Sequence, residues 1–108
     1  EPNTNESVAF IKILTNLYLS RNNHKVIANH QIKSFKNYCV KNFFINWNKS
    51  QNEIIEKLSQ KSKVNETKTQ ELIVYITYIT NKNNITQKEL LELDKRIETF
   101  LNLNKHGS

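Results

Sequence analysis

The chain has one proline, Pro2, and one glycine, Gly107, and both stand at its ends. Between them no residue is a dedicated helix breaker, either by favouring positive φ or by removing a backbone donor. Tight β-hairpins draw on glycine for their turns, so an all-β or α/β fold is disfavoured. The remaining reading is all-α, a compact bundle of about five helices.

Apolar periodicity and caps place those helices. The first is expected from about Glu6 to Arg21, capped by Asn5, with Val8, Phe10, Ile11, Leu14, Leu17 and Tyr18 on a broad apolar face. After the turn "NNH", Asn23 is expected to cap a second helix from about His24 to Phe44. Its inner arc is Ala28, Ile32, Phe35, Cys39 and Phe43, with Tyr38 at the edge. Phe44 falls on the polar side and is expected under the connector "INWNKS" with Trp47. Ser50 precedes Glu53 by three residues, the spacing of a capping box, and opens a third helix to about Lys61 that buries Ile54, Ile55 and Leu58.

Asn65 starts the fourth helix, to about Asn81, carrying Leu72, Ile73, Tyr75, Ile76 and Ile79. Its "IVYITYIT" reads as a strand on propensity alone. The polar "NETKTQEL" ahead of it and the lack of a partner strand make it a helix. Thr86 with Glu89 forms a second capping box, and Ile85 with Leu90 has the spacing of a hydrophobic staple. Leu90, Leu93, Ile97, Phe100 and Leu101 follow as a core stripe, with Glu92 and Arg96 paired one turn apart. No internal repeat or heptad is present. A single helical domain over residues 5–104 is expected, with residues 1–4 and 105–108 as flexible or non-native ends. The opening "EPNTNES" has no initiator, so the chain is expected to be a piece of a longer protein.

Charge says more by its distribution than by its sum of +6. Lysine and asparagine are abundant while arginine is confined to Arg21 and Arg96, a skew that AT-rich coding produces without selection for binding. Between Glu6 and Glu53, however, there is no carboxylate, and that stretch holds Lys12, Arg21, Lys25, Lys33, Lys36, Lys41 and Lys49. From residue 51 onward nine basic groups face eight acidic ones. A basic first half marks an anionic partner. In "FKNYCVKNFFINWNK" a helical wheel turns most rings inward and spreads Lys33, Lys36 and Lys41 over the opposite arc with Asn29, His30 and Asn37. These three lysines are the candidate surface for that partner.

Reactive chemistry finds little support. The single cysteine, Cys39, rules out an intrachain disulfide and suits a reducing compartment. Without a Gly-rich loop no phosphate cradle of the P-loop or dinucleotide type is available. The pairs Glu53 with Glu56 and Glu89 with Glu92 sit in caps and on charged faces, and Asp94 is the only aspartate. His30 and Cys39 point in opposite directions at 100° per residue, and neither they nor His24 have zinc-ligand spacing. No catalytic, cofactor or metal residues are expected, and the chain reads as non-enzymatic. No run approaches the roughly 20 apolar residues of a membrane span, so the fragment is expected to be soluble. One alternative function is a small nucleic-acid-binding module. "IIEKLSQKSKVNETKTQELIVYI" has the outline of a helix-turn-helix, in which Lys68 and Gln70 would read bases while Glu66 and Glu71 repel phosphate. Its turn lacks the usual glycine.

Three stretches carry a family resemblance: "LTNLYLSRNNHKVIANHQIKSFKNYCVKNFF", "IIEKLSQKSKVNETKTQELIVYI" and "ITQKELLELDKRIETF". Leu17, Tyr18, His24, Lys25, Ile27, Ala28, Ile32 and Phe35 match the first part of a pattern. Leu58, Lys61, Ser62 and Val64 match its turn, where Lys63 replaces a glycine, and Glu89, Leu90, Leu93, Ile97 and Phe100 match its close. The pattern resembles the C-terminal helical region of a Bacteroidota membrane-protein family, the domain of unknown function 4350. The resemblance implies a membrane-anchored protein with this region on the cytoplasmic side of the inner membrane. It also implies a gene neighbourhood with a MoxR-type AAA+ ATPase, whose system components become candidate protein partners. It carries over no activity and no catalytic residue. The resulting expectation is a cytoplasmic interaction domain whose basic first half faces the anionic membrane surface.

Overall fold

The computed structural model describes residues 24–106. The first expected helix, the Asn5 and Asn23 caps and residues 1–4 and 107–108 lie outside the described residues, while Lys105 and His106, expected in a flexible end, belong to the last helix. Within them the chain is all-α: α1 (His24–Phe43), α2 (Gln51–Ser62), α3 (Glu66–Thr80) and α4 (Gln87–His106).

The starts of these helices follow from their caps. Ser50 is extended and its hydroxyl accepts from the Glu53 amide at 3.3 Å, opening α2. The Asn65 side chain accepts from the Lys68 amide at 2.8 Å and opens α3. At α4 both halves of the box form: the Glu89 amide donates to Thr86 Oγ1 at 3.1 Å, and the Thr86 amide donates to Glu89 Oε1 at 2.9 Å. Each such cap satisfies donors that the helix cannot, an effect of about 1 kcal/mol.

The helix ends show what a chain without internal glycine does instead. α1 stops at Phe44 (φ 56°) and α2 at Lys63 (φ 67°), both in the left-handed region. A side chain there costs roughly 1–2 kcal/mol by the clash of Cβ with the following carbonyl. The free carbonyls find partners from elsewhere. Asn104 Nδ2 of α4 donates to Ser62 O at 2.8 Å, and Lys25 Nζ of α1 donates to Thr80 O at 3.3 Å and also to Lys82 O.

Burial is continuous across all four helices. Ala28, Cys39 and Phe35 of α1 meet Leu58 of α2, Leu72 and Ile79 of α3, and Leu90, Leu93 and Phe100 of α4 in one core. Phe35 and Phe100 pack edge to face at 5.5 Å, which locks α1 against α4. α3 is helical despite its β-branched run because Leu72, Ile73, Ile76 and Ile79 all reach the core at helical spacing. α2 packs on α3, α3 on α4, and α4 returns to α1.

One expectation is corrected here. Phe44 does not pack under the connector with Trp47; it is 79% exposed. The left-handed turn at Phe44 swings its own side chain outward and folds the next residue, Ile45, into the core at 5% exposure. Trp47, further along the connector, packs against the core without Phe44. Among the described residues no helix is long and apolar enough to cross a membrane.

Candidate functional site

Cys39 and Glu89 are both committed to structural roles. Cys39 is fully buried, and that burial pushes its thiol up to about 12, so it stays protonated at neutral pH. His30 is exposed and His24 half-buried, and no cluster able to hold a metal ion occurs among the described residues. Glu89 closes the α4 cap while also holding Lys82 Nζ at 2.6 Å and the Tyr78 hydroxyl at 2.6 Å. The Lys82 contact, then the Tyr78 and Thr86 hydrogen bonds, hold its carboxyl down to about 2. It is a brace between α3 and α4 that remains ionised at neutral pH.

That brace belongs to a seam in which charge is answered locally. Arg96 Nε lies 2.8 Å from Glu92, its Nη1 lies 4.0 Å from Glu71, and its guanidinium sits 5.0 Å over the Tyr75 ring. Lys68 is 3.7 Å from Glu71. Lys82 lies 5.0 Å over the Tyr78 ring as well as on Glu89. The start of α3, read from sequence as a possible DNA-reading helix, therefore has its one lysine beside a carboxylate.

The three lysines singled out by the wheel separate in the structure. Lys33 and Lys41 are exposed on α1. Lys36 is half-buried, its ammonium 5.3 Å over the Trp47 ring, while Trp47 Nε1 donates to the Lys36 carbonyl at 3.2 Å. Lys36 is thus a strut holding the connector to α1.

A different group of residues comes together where α1 ends and α2 runs past it. Phe44, Ile45, Asn46, Lys49, Glu53, Ile54, Lys57 and Lys61 line a groove of about 200 Å³. Ile45 and Ile54 form its apolar floor, and the exposed Phe44 ring is one wall. Lys49 from the connector and Lys57 and Lys61 from successive turns of α2 form a basic rim. Lys61 reaches the Phe44 ring at 5.6 Å. Among the described residues none of these three lysines lies within ion-pair distance of a carboxylate. Glu53 is the one acid in the groove, and it accepts from the Ser50 hydroxyl at 3.4 Å. Sequence reasoning missed this group. Its signals were an aromatic residue on the polar side of a helix end and the i, i+4 spacing of Lys57 and Lys61.

Together these features define a class: a small all-α domain with an ion-paired seam and a basic, aromatic groove. Residues 11–104 match the model of the DUF4350 C-terminal helical domain, and the chain belongs to that family. No curated protein and no solved structure matches it. The residues in which the resemblance was read do mainly structural work here. Leu58, Leu90, Leu93 and Phe100 are core, Lys25 caps α3, and Ser62 is fully buried with its hydroxyl accepting from the Val64 amide at 3.2 Å.

Proposed function

We propose that this chain is a non-enzymatic helical interaction domain, carried on the cytoplasmic side of a membrane-anchored protein. The observation that carries the reading is the α1–α2 groove, an apolar floor and exposed ring bordered by three lysines against one carboxylate, Glu53. Such a surface is complementary to an anionic partner. The partner is a protein, and components of a MoxR-type ATPase system are the candidates suggested by the family resemblance. Exposed Lys33 and Lys41 on α1 suit a domain held near an anionic leaflet, where each lysine gains about 1 kcal/mol of attraction.

The nucleic-acid reading has less behind it. Lys68 is beside Glu71, and Glu66 stands in the first turn of the helix that would have to enter the groove of DNA. Cell fractionation of the full-length protein tests the proposal. It should stay in the membrane pellet after alkaline carbonate, with this domain protected from protease added to spheroplasts and cleaved once they are lysed. Release by carbonate, or cleavage of the domain in unlysed spheroplasts, would contradict it.

A further inference from the structure

The groove between the end of α1 and the face of α2 invites a more specific assignment, resting on the interaction-domain reading above. We infer that the Phe44 groove takes an acidic protein segment that inserts one apolar side chain between Phe44, Ile45 and Ile54 and sets its carboxylates against Lys49, Lys57 and Lys61.

The backbone is the first reason. Phe44 is a bulky residue in a left-handed conformation, and its ring is 79% exposed. A glycine at this position would end the helix without strain, so the phenylalanine costs stability twice, by its backbone and by its hydration. Costs of this kind gather where a side chain serves a partner. Lys63 ends α2 in the same conformation, but it displays only a charged group that water solvates well.

The lysines are the second reason. Lys41 and Lys61 lie in the last turns of α1 and α2, where any cation favours the helix dipole. Lys49 and Lys57 have no such role, since one lies in the connector and the other in the middle of α2. Among the described residues Lys68, Lys82 and Arg96 each have a carboxylate within 4.0 Å, while the exposed Lys33, Lys41, Lys63, Lys88 and Lys95 have none. The groove lysines are also unpaired, and what sets them apart is that three of them converge on one groove, where their fields add.

Shape chooses the class of partner. A bilayer would accept the protruding ring but leave the concave floor empty. Single-stranded nucleic acid binds through successive rings, and the neighbouring ring, Trp47, is held under Lys36 and bonded to the Lys36 carbonyl. Glu53 would also oppose a phosphate backbone at the groove. The groove volume of about 200 Å³ is several times the roughly 30 Å³ share of one water, room for one apolar side chain with acidic flanks outside it.

The test uses the full 108-residue chain. The probe is a fluorescein-labelled peptide with a central leucine flanked by glutamates, followed by anisotropy. Saturable binding is expected, weakening about tenfold in Phe44→Ser and in Lys57→Glu combined with Lys61→Glu, and by less than about twofold in Lys88→Glu combined with Lys95→Glu. Replacing the peptide's glutamates by glutamines, or its leucine by glycine, should weaken binding to a similar degree. Circular dichroism melts should show each variant folded. Absence of saturable binding would overturn the assignment, as would affinity indifferent to Phe44 or to the two lysines. Tighter binding of oligodeoxynucleotides or of phosphatidylserine vesicles, lost in the same variants, would transfer the groove to that other class and overturn it too. None of these failures touches the fractionation experiment, which tests the parent reading separately.

Discussion

The α3–α4 seam and the α1–α2 groove are both rich in lysine or arginine, yet they treat those charges in opposite ways. In the seam Lys82 is held by Glu89 and Arg96 by Glu92 and Glu71, with Tyr78 and Tyr75 beneath them. In the groove Lys49, Lys57 and Lys61 surround an exposed ring with one carboxylate among them. The net charge of the chain describes neither region. The paired cations of the seam tie α3 to α4, whereas those of the groove are gathered around an exposed ring.

Substitutions in the two regions should therefore diverge, and the largest divergence is in stability. Leu90, 1% exposed, is buried in the core at the start of α4, as is Ile85 just ahead of it. Leu90→Ala should cost about 2–5 kcal/mol in urea unfolding, whereas Lys57→Ser in the groove should stay within about 0.5 kcal/mol. A costly groove lysine would erase the distinction. Thr86→Ala removes the donor–acceptor pair that opens α4 and should cost about 1 kcal/mol by the same measurement. Phe44→Gly runs the other way. It should gain about 1 kcal/mol, because glycine adopts the left-handed stop freely, while losing affinity for the acidic probe. A destabilised Phe44→Gly would mean that the ring serves the fold.

The smallest effect is the pH response of the seam. The Glu89 carboxyl is held down to about 2 by Lys82, Tyr78 and the Thr86 amide, from an ordinary value of 4.5. Because the folded value is the lower one, the contribution is complete above about 4.5 and fades as pH falls toward 2. The Tm should consequently drop less between about pH 6 and about pH 3 in Glu89→Gln than in the parent chain. Equal drops would remove Glu89 from the acid response. Exposure to solvent screens this brace, which keeps the effect modest.

What could be read from the residues alone was whatever repeats within a helix. The Thr86–Glu89 box, the Asn65 cap, the Glu92–Arg96 pair and the buried stripe of α4 are all contacts three or four residues apart, and each is present. Contacts that depend on how helices meet were invisible. The Lys82–Glu89 brace and the approach of Arg96 to Glu71 need the α3–α4 packing, and the Lys36–Trp47 stack needs the path of the connector. Phe44 was misplaced for a related reason. A helical wheel extends the helix by another 100°, while the backbone reverses hand there, exposing Phe44 and burying Ile45. The groove is built on that reversal, so the wheel pointed to Lys33, Lys36 and Lys41 and passed over Lys49, Lys57 and Lys61.

Amide chemical-shift mapping of the whole chain, titrated with the glutamate–leucine peptide, compares both regions in one measurement. Shifts are expected at Phe44, Ile45, Lys49, Ile54, Lys57 and Lys61, saturating together, with Tyr78, Lys82, Glu89 and Arg96 unmoved. Shifts centred on the seam, or spread evenly over every exposed lysine, would contradict the division of labour between them.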